Sequence, residues 1–223
     1  MRTQGWLAVA ALCALLLGDV NRASAQDFYY QGQKVFSGGR RNSHQGVYVH
    51  AGGGFGGIGM RSELAGTRLN IRGASSLWSL GVGGSVMPRL ALHGSYFGGN
   101  AWSPTLREDG VDISNSDPDD RLTLHGVAGG ATAYTLRNIY FSGEVGAAFV
   151  RIANDFTGER LSMRPGLAVR ARLGKEWWIN REFGLGLAGQ FIYFRVREDL
   201  TDSRTDLLWH GVSAGVIASA TFN

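Results

Sequence analysis

Arg170 and Arg172, two positions apart, and the earlier Glu144 form the first chemically suggestive set in this chain. On strands, i and i+2 spacing sends both guanidinium groups to one face. Two chemistries are open to such a set. One is a charged constriction that gates small solutes; the other is an ion-pair network that fills an interior with partnered polar groups. The second is favoured wherever the interior is narrow and packed with side chains.

His50, His93 and His125 all project to the same interior when strand alternation is followed. Three inward histidines invite a metal reading, but no local ligand spacing supports it. Neutral rings within a polar network are the expectation, with no metal and no cofactor. His93-Gly94-Ser95 offers a base and a nucleophile, with Glu108 as nominal third member. A serine needs its base within hydrogen-bond reach and a group that orients the base. Here His93 and Ser95 are expected to face the lumen while Glu108 falls in a polar connection, so no enzyme is expected. Residues 99–120 also hold Asp109, Asp112, Asp117, Asp119 and Asp120 against Arg107. Their spacing does not match a calcium loop, and Pro118 interrupts the run. A solvated tip is the simpler reading. Arg61, Arg68 and Arg72 face only Glu63 in sequence, and arginine suits bidentate contact with phosphates.

The 223 residues suit one domain. Gly is abundant at 34, Pro and Cys are scarce at 4 and 1, and charged residues make up 18%. This is too apolar for disorder, and so much glycine argues against helices. Arg2, the apolar run from Trp6 to Leu17, and Ala23-Ser24-Ala25 read as a cleaved signal peptide over residues 1–25. The run falls short of the about 20 residues a spanning helix needs. Cleavage takes the 22 basic and 18 acidic residues to 20 and 17, a net charge of +3. It also removes Cys13, whose position inside the apolar run argues against lipidation. So small a charge on an exported chain gives no reason to expect nucleic acid.

Residues 26–45, with Phe28-Tyr29-Tyr30 and Arg40-Arg41, read as a periplasmic extension. From 46 to 223 the sequence repeats segments of alternating apolar and small or polar residues. Eight are expected, over 46–56, 76–87, 89–98, 121–133, 138–151, 164–175, 182–197 and 207–222. The connections alternate in length. Those near Pro88, 134–137 and 177–181 are short, while 61–74, 99–120, 153–163 and 198–206 are long and polar. Outer-membrane barrels follow this rule, with short turns in the periplasm and long loops outside.

The polarity of the two faces is inverted. Residues in phase with Phe222 are apolar or small, whereas the other face carries Ser142, Glu144, Arg170, Arg172, Gln190, Ser213, Ser219 and Thr221. Apolar outside and polar inside is what a lipid surround selects. Amphipathic rings are expected at the two interfaces. Trp177, Trp178, Tyr134, Tyr140 and Phe222 are assigned to the periplasmic rim; Trp78, Tyr96, Phe149, Tyr193 and Trp209 are assigned to the outer one.

On its signal end, its eight alternating segments and its last strand from Gly211 to Phe222, the sequence resembles the small eight-stranded outer-membrane barrels, of the OmpA transmembrane-domain and OmpX type. Members usually end on an aromatic residue, and here Asn223 follows Phe222. The resemblance implies an all-β, eight-stranded antiparallel up-and-down transmembrane barrel in a Gram-negative outer membrane. It implies partners in outer-membrane lipid, lipopolysaccharide and, through the C-terminal strand, the barrel-assembly machinery, and a monomer. No second domain is expected after the barrel, so a two-domain anchoring role is not implied. A structural or surface-interaction role without enzymatic activity is expected. The competing expectations are a small-solute pore gated by lumenal charges and a lipid A-modifying hydrolase, since lipid A deacylases resemble this chain in architecture and use a His-x-Ser pair.

Overall fold

The computed structural model describes residues 29–30, 33–34, 46–64, 66–112, 120–135, 137–154, 157–158, 160–180, 182–198 and 207–222. The expected signal peptide, Asp117 and Asp119, and Asn223 lie outside the described residues. Within the expected extension only β1 (Tyr29–Tyr30) and β2 (Gln33–Lys34) are described, paired antiparallel with each other. The remaining strands are β3 (Val47–Leu64), β4 (Thr67–Met87), β5 (Leu90–Trp102), β6 (Thr105–Glu108), β7 (Val111–Asp112), β8 (Asp120–Tyr134), β9 (Ile139–Asn154), β10 (Arg160–Ser162), β11 (Arg164–Trp178), β12 (Phe183–Glu198) and β13 (Leu207–Phe222).

Eight of these, β3, β4, β5, β8, β9, β11, β12 and β13, each pair antiparallel with their sequence neighbours, and β13 returns to β3. That seam runs from His210 opposite Arg61 to Phe222 opposite Val49. The barrel is closed, so the ring of eight offers no open edge to the hydrocarbon, where unpaired backbone groups cost several kcal/mol each. Inside the seam, a Cβ on Gly54 or Gly56 would collide with the β13 backbone between Ala214 and Ile217. Glycine there is what lets the two strands meet.

The short connections are tight turns. Thr135 donates its N–H to Ile139 O at 2.8 Å, while Asn138 takes the left-handed conformation at φ 57°. At the next turn, Asn180 Oδ1 accepts the N–H groups of Glu182 and Phe183 at 2.9 and 2.7 Å. At the other end, three expected loops turn out to be partly strand, one of them 153–163, where β10 pairs with the end of β9. Residues 61–74 continue the β3–β4 ladder up to Leu64 opposite Thr67. Residues 99–120 extend β5 to Trp102 and add β6, which pairs with β4, and β7, which pairs with β6. The alternation persists in these stretches, but charged residues occupy the outer positions and mask it as loop sequence.

The wall is inverted as the alternation implies. Val145, Leu173, Leu187, Phe191, Val212 and Val216 are exposed on the outside, and Ser142, Glu144, Arg170, Arg172, Gln190, Ser213, Ser219 and Thr221 are buried inside. The inversion does not run the whole length. Nearer the long connections Leu122, Leu124, Val150, Phe194 and Val196 point inward, while Arg121, Thr123, Arg151, Arg195 and Arg197 hold the alternate, outward positions. This upper part has the polarity of a protein in water. The crossover marks the lipid surface. Below it, the outward apolar run covers Leu185 to Tyr193 on β12 and Val212 to Phe222 on β13, matching the about 9–11 residues a tilted spanning strand needs.

A charge in that band tests the assignment. Val216→Arg, near the middle of β13, is expected to lower stability in lipid vesicles by about 2–4 kcal/mol, read from the urea midpoint of unfolding. A change near zero would mean that this wall faces water.

Candidate functional site

The lumen has two storeys, and the lower one is polar. The alternation of β9 and β11 brings Glu144, Arg170 and Arg172 to one level, with Arg170 directly opposite Glu144. All three are at most 2% exposed. Arg170 Nη2 donates to both Glu144 oxygens, at 2.7 and 2.6 Å, and Arg172 Nη2 donates to Oε1 at 3.0 Å. Ser142 Oγ donates to the same Oε1 at 3.3 Å, and Ser95 Oγ donates to Oε2. An ionised carboxylate offers about four lone-pair sites, and these donors occupy them. One carboxylate therefore serves two guanidinium groups.

The histidines extend this network in a definite direction. Thr132 Oγ1 donates to Ser142 Oγ at 3.0 Å, so it receives the His93 Nε2 proton at 2.9 Å. The chain of donors thus runs from His93 through Thr132 and Ser142 to Glu144. On the other side, Arg172 donates to His50 Nε2, which also meets Ser79 Oγ at 3.1 Å. Arginine has no acceptor, so this His50 nitrogen is the accepting one and its proton resides on Nδ1.

His125 corrects the sequence reading. It faces outward, because its neighbours Leu124 and Gly126 take the inward positions. There it meets the Tyr96 hydroxyl at 3.2 Å and packs beside Trp78, whose ring centroid lies 4.7 Å from that of Tyr96. Among the described residues, no group of three histidines or carboxylates could hold a metal ion.

His93 and Ser95 do face the lumen, but His93 bonds to Thr132 and Ser95 to Glu144. Among the described residues, no histidine bonds to this serine. Glu108 is exposed on β6 and pairs in register with Leu69 and Val111, far from both. The acidic connection is also committed elsewhere: Asp112 pairs with Arg107, and Asp109 Oδ1 accepts the Arg68 N–H at 2.9 Å. Asp120 Oδ1 accepts from the Asn154 amide at 2.8 Å.

A second polar group lies nearer the short turns. Glu176 accepts from Thr221 Oγ1 at 2.7 Å and the Tyr134 hydroxyl at 3.3 Å, and Tyr134 packs on Tyr140 at 5.7 Å. Tyr134 and Tyr140, assigned from sequence to the lipid interface, are buried inward, and Trp178 shares their inward phase with Glu176. Trp209 is likewise inside at 4% exposure, its indole N–H donated to Glu198 at 2.8 Å. Trp177 is outward and half-exposed, with the Lys175 ammonium 5.6 Å from its ring centroid. Phe222 pairs with Phe183 and Val49 at the short-turn end.

The upper storey is apolar. Ile58, Met60, Ile71, Phe97, Leu122, Leu124, Val150, Met163, Ile192, Phe194, Val196, Leu207 and Trp209 form one buried apolar cluster across the bore. Phe97 joins the storeys: the Arg170 guanidinium carbon lies 4.5 Å above its ring. Gly126 and Gly211 leave room for the Phe97 and Phe194 rings, which a Cβ at either position would strike. The Leu122/Leu124 pair and the Gly126 gap carry the sequence signal for this cluster, once the outward Arg121 and Thr123 are read as facing water.

The architecture defines a class: a closed eight-stranded antiparallel barrel of the small outer-membrane kind. No family model and no curated protein matches the chain. Among solved structures it is similar to the outer membrane protein OprG from Pseudomonas aeruginosa, at a TM-score of 0.51 and 11% identity over 81% of this chain and 98% of that one. It is also similar to Neisserial surface protein A, at 0.41 and 15% over 77% and 95%. A third is Ail, the attachment invasion locus protein of Yersinia pestis, at 0.38 and 14% over 78% and 99%. At these identities the likeness is one of fold.

Proposed function

We propose that this protein is a non-enzymatic, non-conducting outer-membrane barrel that presents its long connections, above all the β3–β4 hairpin with β6 and β7 on its flank, as a surface for contact outside the cell. Residues 1–25 direct its export and are removed, and the mature barrel is a monomer delivered to the assembly machinery through β13. The observation that carries this reading is the double closure of the bore. A carboxylate bridging two buried arginines spans the lower level, and aromatic and aliphatic side chains span the upper one. An ion would have to break the first and open the second.

Planar-bilayer recording with the refolded protein is the test. A silent membrane is expected, alongside recovery in the outer-membrane fraction with heat-modifiable gel migration. Discrete conductance steps that vanish on replacing Glu144 or Arg170 would instead establish a gated pore. Recovery in the soluble periplasm would refute the membrane reading itself.

A further inference from the structure

The crossover from apolar to charged residues on the outer wall is not chemically neutral. The first outward basic residue above the apolar band is Arg61 on β3, Arg72 on β4, Arg151 on β9, Arg195 on β12 and His210 on β13. At the seam these converge. Arg195 stands opposite His210, His210 opposite Arg61, and Arg61 opposite Asn70. Arg72 lies two positions along β4 from Asn70, which makes it a diagonal neighbour of Arg61 at roughly 7–8 Å. Among the described residues, neither Arg61 nor Arg72 has an ion-pair partner.

Between them the wall is concave. A hollow of about 400 Å³ is lined by Gly59, Arg61, Asn70, Arg72, Tyr193, His210 and Val212. The Tyr193 hydroxyl and His210 Nδ1, 2.8 Å apart, close one side. Gly59 lies between Val212 and Arg72 in register, and its missing side chain leaves the floor open. The fold does not require that glycine. A Cβ there would meet Ile71 O at 3.6 Å and the Arg72 Cβ at 3.7 Å, which is ordinary contact, whereas the inward Gly54 and Gly56 admit none. The hollow opens sideways to lipid, with an apolar lower rim and a cationic upper one.

We propose that this hollow is a binding site for one phosphorylated glycolipid of the outer leaflet, its phosphate held by Arg61 and Arg72 and its first acyl carbons lying over Gly59 against Val212. The geometry fits that occupant on three counts. Guanidinium groups take phosphate oxygens in bidentate pairs. The site lies at the level where the wall changes from apolar to charged, as the headgroup of an outer-leaflet lipid does. The apolar rim faces the membrane interior, where acyl chains run. The proposal rests on the reading that this wall is immersed in lipid, which bilayer and fractionation experiments address separately.

The test titrates the folded protein in detergent micelles with bisphosphorylated lipid A and with its dephosphorylated form. Wild type is expected to bind the phosphorylated lipid at least ~10-fold more tightly, since one charge-assisted contact is worth that much. Arg61→Gln/Arg72→Gln is expected to remove most of that preference, and Gly59→Val, which fills the floor, to weaken binding by a similar ~10-fold factor. Arg151→Gln, on the opposite wall, should leave affinity unchanged. All variants should keep heat-modifiable migration, because none touches the interior. Equal binding of the two lipids would overturn the proposal. So would an equal loss in Arg151→Gln, which would indicate a diffuse basic collar. Displacement of lipid A by millimolar inorganic phosphate would also overturn it, by identifying a free-anion site.

Discussion

Glu144→Ala is expected to destabilise the barrel by about 3–5 kcal/mol, the cost of leaving a buried charge without its partner. The substitution removes the acceptor of four side chains together. Arg170 and Arg172 lose their shared counter-charge, and Ser95 and Ser142 lose the atom they donate to. Water cannot take over easily at sites that are at most 2% exposed. The measurement is the urea midpoint of the refolded protein in vesicles, read by heat-modifiable migration. The combined variant Glu144→Leu/Arg170→Met/Arg172→Met separates two explanations. Replacing a whole buried ion cluster by apolar groups is often neutral or stabilising, so the triple variant should recover most of the loss. If it is as unstable as Glu144→Ala, packing volume at these positions matters more than charge pairing.

Phe97→Ala is the second large effect, at about 3–5 kcal/mol for a buried ring replaced by a methyl. Phe97 is fully buried and fills the space opposite Gly126. It also faces the Arg170 guanidinium, a contact worth on the order of 0.5–2 kcal/mol that the variant loses as well. Leu92→Ala on the same strand is the control, since Leu92 is half-exposed to lipid and its loss leaves no cavity. The difference between the two variants in the same unfolding assay measures the upper storey alone. If Phe97→Ala matched Leu92→Ala, the apolar cluster would be a loose filling rather than a packed core.

The membrane-spanning part of this fold was legible because alternation and environment agree there. Leu185, Leu187 and Phe191 on one face and Gln190 on the other leave little choice of register on β12 once lipid is outside. The same alternation sends Arg170 and Arg172 to the inner face of β11 and Glu144 to the inner face of β9. It failed above the lipid surface, where the solvent changes and the rule changes with it. Arg121, Thr123 and His125 are outward because water or the interface lies there, and the expectation of an inward His125 extends the rule beyond its range. The 61–74 stretch reads as loop for the same reason. Trp209 shows a different gap: a tryptophan near a rim can serve the lipid interface or close the bore, and only the position of Glu198 across the β12–β13 pair decides between them. The hollow beside Gly59 was invisible in sequence because it joins residues of β3, β4, β12 and β13, brought together only by closure of the ring.

The seam between β3 and β13 has a consequence for timing. The first barrel strand waits for a partner that is the last of the eight barrel strands to be made, and the contacts between them span most of the sequence. Joining such distant segments carries a loop-closure cost that no earlier local pairing repays. Until then both edges of the growing sheet stay open and adhesive. The barrel therefore has no half-built resting state in lipid, and its insertion is governed by when the sixteen residues of β13 arrive.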